Sequence, residues 1–166
     1  MKQLIITIFF GLLLSCQQTN DSSSSEKEEA NTELGSFKSK LKLANLQGEE
    51  LQQAPDKILI LNLWATWCAP CIREMPDLVE MQKLLPDDFV LLLASDEEPE
   101  RVNRFLTNSS FDLEFIRINN SIESLGVYSL PTTFIVGKDG ELLETLVGAR
   151  NWNDEELIKN LKKYLK

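Results

Sequence analysis

Histidine is absent from the 166 residues. That excludes catalytic triads built on an imidazole base, most zinc sites, and haem held by histidine. Positive charge is scarce: 17 Lys and Arg stand against 26 Asp and Glu, a net charge of −9. No basic patch interrupts this acidic background, so no nucleic-acid partner is expected. Long apolar runs are missing too. The one near the N-terminus, Leu4 to Leu14, has 11 residues, too few to span a bilayer. Cysteine is sparse, and the count of three is odd for a disulfide framework. The rest is of ordinary composition, 43% hydrophobic and 26% charged, which suits one domain with its own core.

Two of the cysteines stand together in Trp67-Cys68-Ala69-Pro70-Cys71. They follow the apolar run Ile58 to Trp64 and open a stretch with helical patterning. A dithiol at a strand-to-helix turn can close into a disulfide. Free N–H groups and the macrodipole at the helix start favour a thiolate, the species that attacks disulfides. Cys68, the more exposed at the helix start, is the candidate nucleophile. Cys71, one turn inward, is the candidate resolving cysteine. Blander readings are half of a metal site, a structural disulfide, and coincidence. The first lacks a second cysteine pair or histidine to complete four ligands, so no metal site is expected. The second closes too short a loop to gain much entropy.

The third cysteine lies after the N-terminal apolar run. Lys2 and Leu4 to Leu14 have the form of a signal peptide over residues 1–15. Leu13-Leu14-Ser15-Cys16 resembles a bacterial lipoprotein cleavage box, which implies cleavage before Cys16 and lipid on its sulfur and new α-amine. The alternative is an ordinary signal peptide and a stray cysteine. Residues 16–34 then comprise the lipidated Cys16 and a flexible Ser- and Glu-rich tether, which as a coil would span roughly 20–25 Å.

Residues 35–166 read as one α/β domain. Phe37 to Leu46 is a patchy strand turned back at Gln47-Gly48-Glu49 as a hairpin. Ile58 to Trp64 and Phe89 to Ala94 are buried strands. Pro70 to Leu85 is a helix with Ile72, Met75, Leu78, Val79 and Gln82 in its period and a kink at Pro76. A helix with an acidic first turn follows Ser95-Asp96, then a strand from Leu113 to Ile118 and a short helix ended by Gly126. Lys138-Asp139-Gly140 turns a hairpin of Thr132 to Val136 and Glu141 to Val147. Asn153 caps the last helix. The order implies a mixed sheet with helices on both faces.

This order and two sequence blocks resemble the thioredoxin fold, and within it the TlpA/ResA-like thiol–disulfide reductases of the bacterial envelope. The blocks are Asn62 to Pro76 and Ser129-Leu130-Pro131-Thr132-Thr133-Phe134. The resemblance implies a cis Leu130-Pro131 bond beside the dithiol, with the Leu130 backbone open to a bound peptide. The alternative is a trans proline at a strand start. It implies Trp67 as an exposed lip and Glu74 as a proton acceptor near Cys71. Glu74 could instead be a plain acid facing water in the helix's first turns. Residues 97–120 match the central helix–strand insertion of this branch. Asn62 stands where thioredoxin has a buried Asp. Trp64 reads as core, and Trp152 has no role beyond packing.

The function implied is that of a lipid-anchored, extracytoplasmic thiol–disulfide oxidoreductase facing the periplasm, inner or outer membrane left open. The dithiol carries the electrons, so no cofactor is needed. Ala69-Pro70 lacks the histidine of strong oxidants, which points to a reductase. Such a reductase needs a membrane thiol–disulfide electron donor. Protein disulfide substrates of the branch include apocytochrome haem-site cysteines and copper-protein thiols, which places cytochrome c biogenesis among its roles. An oxidase or isomerase, and a metal-binding chaperone module, are the rivals.

Overall fold

The computed structural model describes residues 36–52 and 56–165. The stretches expected to form a signal peptide and a tether, and Cys16 between them, lie outside the described residues. Six strands form one mixed sheet: β1 (Leu43–Ala44), β2 (Ile58–Leu63), β3 (Phe89–Ser95), β4 (Phe115–Ile118), β5 (Thr132–Val136) and β6 (Leu142–Val147), in spatial order β1-β4-β3-β2-β5-β6. β2, β3 and β4 run parallel, whereas β1, β5 and β6 are antiparallel to their neighbours. Every residue of β2 and β5 is buried, as near-continuous apolar runs at the centre of a sheet require.

Among the described residues are three α-helices: α1 (Ala69–Leu84) joins β2 to β3, α2 (Pro99–Thr107) joins β3 to β4, and α3 (Glu155–Lys162) follows β6. All three pack on the face that carries Ile58, Ile60, Leu91, Leu93 and Ile135, through Met75, Leu78 and Met81 of α1, Val102 of α2, and Ile158 and Leu161 of α3. The other face is covered by lighter material. The 3-10 turns Phe37–Lys40 and Ile122–Leu125 and the extended chain at Leu41 and Leu51 lie over Leu59, Leu61, Leu63, Leu92, Phe134 and Val136. Both faces are covered, the second by single turns instead of α-helices. Residues 97–120, expected from the sequence to form an insertion, hold α2 and β4, and β4 is the strand on which β1 pairs.

Several local expectations need correction. The strand foreseen over Phe37–Leu46 is a 3-10 turn and a two-residue strand. The Ser39 hydroxyl and backbone N–H both donate to the Ser36 carbonyl, and this local bonding outcompetes the sheet. The turn at Gly48 does form, at φ +89, with a single bridge from Ala44 to Glu50 behind it. Helix α1 continues through Pro76, which lies on its exposed side. Met81 occupies the buried position expected of Gln82, and Glu74 faces inward. Asp154, not Asn153, caps α3, accepting from the Glu156 and Leu157 N–H groups. Asn153 donates instead to Asp77 on α1.

The start of the described chain is fastened to the β5–β6 turn. Lys38 N–H donates to the Gly140 carbonyl at 2.9 Å. A Cβ on Gly140 would lie 2.7 Å from Ser36 Oγ, and its φ is +86, so glycine is required there on two counts.

Candidate active site

The antiparallel register of β2 and β5 sets Leu63 opposite Thr132. The chain leaving β2 toward the dithiol and the Ser129-Leu130-Pro131 loop entering β5 therefore lie at the same end of the sheet. Ala65 closes a turn by accepting the Cys68 N–H at 3.0 Å, and α1 begins at once with Cys68 as its N-cap. Cys68 and Cys71 are joined as a disulfide with an S–S distance of 2.02 Å. The Cys71 N–H donates to Cys68 Sγ at 3.3 Å. An orphan donor of the helix start thus points at the Cys68 sulfur, and a donor so placed favours the charged form of a thiol. The foreseen contrast in exposure is small in this disulfide state, 3% for Cys68 and 1% for Cys71.

Trp67 stands 68% exposed beside this disulfide, while Trp64 is in the core against Phe105 and Phe115. The Leu130-Pro131 bond is cis. Pro131 is buried and its carbonyl accepts the Gly148 N–H at 2.8 Å, while Leu130 packs against both apolar clusters.

Glu74 lies one helical turn beyond Cys71 and is 3% exposed, which removes the reading of a water-facing acid. Its Oε1 accepts from Asn62 Nδ2 at 2.9 Å, and its Oε2 from the Arg150 backbone N–H at 3.2 Å. The Asn62 amide also donates to Thr133 Oγ1 at 3.0 Å. Trp152 belongs to this cluster. It is fully buried, under the Arg150 guanidinium at 5.8 Å. Its indole N–H makes no hydrogen bond of full geometry, yet it acts on the same carboxylate. Burial pushes the Glu74 pKa up; the Asn62 amide, the Trp152 N–H, and the Arg150 N–H and charge pull it part of the way back. The result is a buried acid with a raised affinity for protons, one turn from the inner thiol.

Asn62, Thr133, Arg150 and Trp152 come together only through the sheet and the chain after β6. The sequence marked Asn62 as standing where thioredoxin has a buried Asp and Thr133 as part of the block Ser129–Phe134, but nothing local tied them, Arg150 or Trp152 to Glu74. Glu97 was missed as well. Its carboxylate accepts from both the backbone N–H and the hydroxyl of Thr66, two residues before Cys68.

Comparison with known proteins agrees with this geometry. The Redoxin family model matches residues 29–164. The thiol-disulfide oxidoreductase ResA of Bacillus cereus strain ZK / E33L is 34% identical over 114 residues, covering 64% of this chain and 65% of that protein. ResA of Bacillus thuringiensis subsp. konkukian strain 97-27 is 31% identical over 147 residues, covering 84% of this chain and 80% of that protein. The exposed lipoprotein thioredoxin Etrx1 of Streptococcus pneumoniae shares the fold, with a TM-score of 0.62 at 22% identity over 74% of this chain and 97% of that one. With a Cys-x-x-Cys disulfide at a helix start on a thioredoxin fold, the chain belongs to the redoxin family, among its ResA-like thiol–disulfide oxidoreductases.

Proposed function

We propose that this oxidoreductase is lipid-anchored through Cys16, faces the periplasm, and reduces disulfides in envelope proteins such as apocytochromes or metalloprotein precursors. The observation that carries the reading is the asymmetry of the dithiol. Cys68 Sγ sits at the helix start with a backbone N–H aimed at it, and Cys71 lies inward near a buried acid.

In the reduced protein the Cys68 thiolate attacks one sulfur of a substrate disulfide. A new S–S bond forms and the substrate's other sulfur leaves as a thiolate. Cys71 then gives its proton to Glu74 and attacks Cys68 Sγ. The internal disulfide forms and the second substrate thiolate is released. Two electrons have passed from the dithiol to the substrate. A membrane thiol–disulfide donor restores the dithiol by the same exchange in reverse. Trp67 and the Leu130-Pro131 loop receive the substrate chain, whose backbone pairs beside Leu130.

The short apolar leader and Cys16 support the anchor. The Ala69-Pro70 pair supports the reducing direction, with a low potential nearer thioredoxin's value of about −270 mV than the value of about −120 mV of the oxidant DsbA. Expressing a Cys71→Ala variant in cells tests the reading. Envelope proteins with paired cysteines should accumulate as mixed disulfides on Cys68. Failure to trap any such protein, or a potential at the oxidising end, would overturn it.

A further inference from the structure

The segment that joins β3 to α2 reaches across to the dithiol loop. Glu97 Oε2 accepts the Thr66 backbone N–H at 2.6 Å, and its Oε1 accepts the Thr66 hydroxyl at 2.9 Å. Thr66 lies between Ala65, whose carbonyl closes the turn onto Cys68, and Trp67, the exposed lip. One carboxylate thus holds both donors of the residue that leads into the reactive cysteine. Hydrogen bonds to a carboxylate are stronger than neutral ones, and two to one residue fix direction as well as distance.

Glu97 is itself held. Its side chain is 9% exposed and ion-paired with Arg101 at 3.4 Å. Its own N–H donates to Ser95 Oγ at 3.2 Å, and Ser95 is buried at the end of β3. The next residue, Glu98, is gripped by a two-pronged contact from Arg117 of β4 at 2.8 and 3.0 Å. The carboxylate is therefore offered from a braced stretch of chain, not from a free surface side chain.

We propose that Glu97 is a positioning residue for thiol–disulfide exchange: by holding Thr66 it fixes the Ala65–Cys68 turn and the Trp67 lip, so that Cys68 meets the incoming disulfide in line. The insertion that opens at Glu97 then serves the reaction directly, as a brace placed behind the dithiol loop. A displacement of about 1 Å at a reacting atom can lower a rate about a hundredfold, so this loop is a place where two hydrogen bonds have kinetic weight.

Three variants test this, each measured as reduced protein acting on a peptide disulfide, with the rate corrected for the folded fraction. Glu97→Ala should lower the exchange rate about ten- to a hundredfold and slow alkylation of Cys68. Glu97→Gln should recover most of that loss. Its carbonyl can accept the Thr66 N–H while its amide donates to the Thr66 hydroxyl, which can accept as well as donate. Thr66→Val, close in shape and lacking only the hydroxyl, should fall between wild type and Glu97→Ala. It also keeps the test decisive where the alanine variant does not fold. A purely structural brace would lower the melting temperature and leave the corrected rates alone, and that result overturns the proposal. Glu97→Gln as slow as Glu97→Ala also overturns it, because charge and not placement would then be at work.

Discussion

Asn62 and Glu74 meet inside the protein: the Asn62 side-chain amide donates to Glu74 Oε1 at 2.9 Å, and both residues are closed to solvent. A strand residue that cannot ionise holds a helix residue that can. The buried acid near the inner thiol is thereby supplied by α1, where its distance from Cys71 is set by one helical turn.

The raised pKa of Glu74 has a consequence for stability. Burial lifts it above the unfolded value, so between the unfolded and folded pKa the native state binds more protons than the unfolded chain. The stability this group confers is full below the unfolded pKa and is lost as pH rises through the folded pKa. Denaturant midpoints of wild type and Glu74→Gln, followed from pH 4 to 8, should show wild type losing ground to the variant as pH rises. A constant difference would place Glu74 outside this linkage.

Asn62→Ala removes the largest of the pulls that lower the Glu74 pKa. The pKa should rise further and the fold should lose about 1–3 kcal/mol, the cost of leaving a buried acceptor unpaired. Carboxyl chemical shifts across a pH titration read the first effect and chemical denaturation the second. A downward pKa shift would contradict the assigned cause.

Cys68 should be alkylated before Cys71 in the reduced protein, with a pKa below the free value of about 8.5. Limited iodoacetamide labelling followed by peptide mass mapping decides it. Preferential label on Cys71 would reverse the assigned roles.

Trp67→Ala should leave stability within about 0.5 kcal/mol, since the side chain is exposed and packs little. Exchange with protein disulfides should fall while reduction of a small aromatic disulfide stays near wild type. Equal losses on both substrates would mean that Trp67 shapes the cysteine and not the docking of a chain.

Cys16→Ser should release the protein from membranes or block its processing, because two or more acyl chains anchor where one does not. Fractionation and intact mass provide the check; an unchanged mass and membrane fraction would remove the anchor from the proposed function.

The sequence exposed some levels of this structure and hid others. Central strands and the dithiol helix were legible because burial on both faces writes itself as a continuous apolar run, and because a Cys pair at a strand-to-helix turn has few alternatives. The 3-10 turn at Phe37–Lys40 was hidden, since Phe37, Leu41 and Leu43 alternate as a strand would. Only the Ser36–Ser39 bonding decides against it. Asn153 and Asp154 are both good caps, and tertiary contact with Asp77 takes Asn153 away. The cluster around Glu74 draws on β2, β5, α1 and the chain after β6. Glu97 meets Thr66 across 31 residues. No window along the chain contains such pairs.

The docking of Ser36 and Lys38 on the β5–β6 turn fixes where the described chain enters the domain. β5 runs from Pro131 at the dithiol end to Val136, and the turn at Gly140 lies beyond Val136. The chain enters the domain at Ser36 and so enters at the pole opposite the disulfide. Exchange therefore takes place at the pole farthest from Ser36, and the two ends of the sheet have separate tasks: one reacts, the other fastens the start of the described chain.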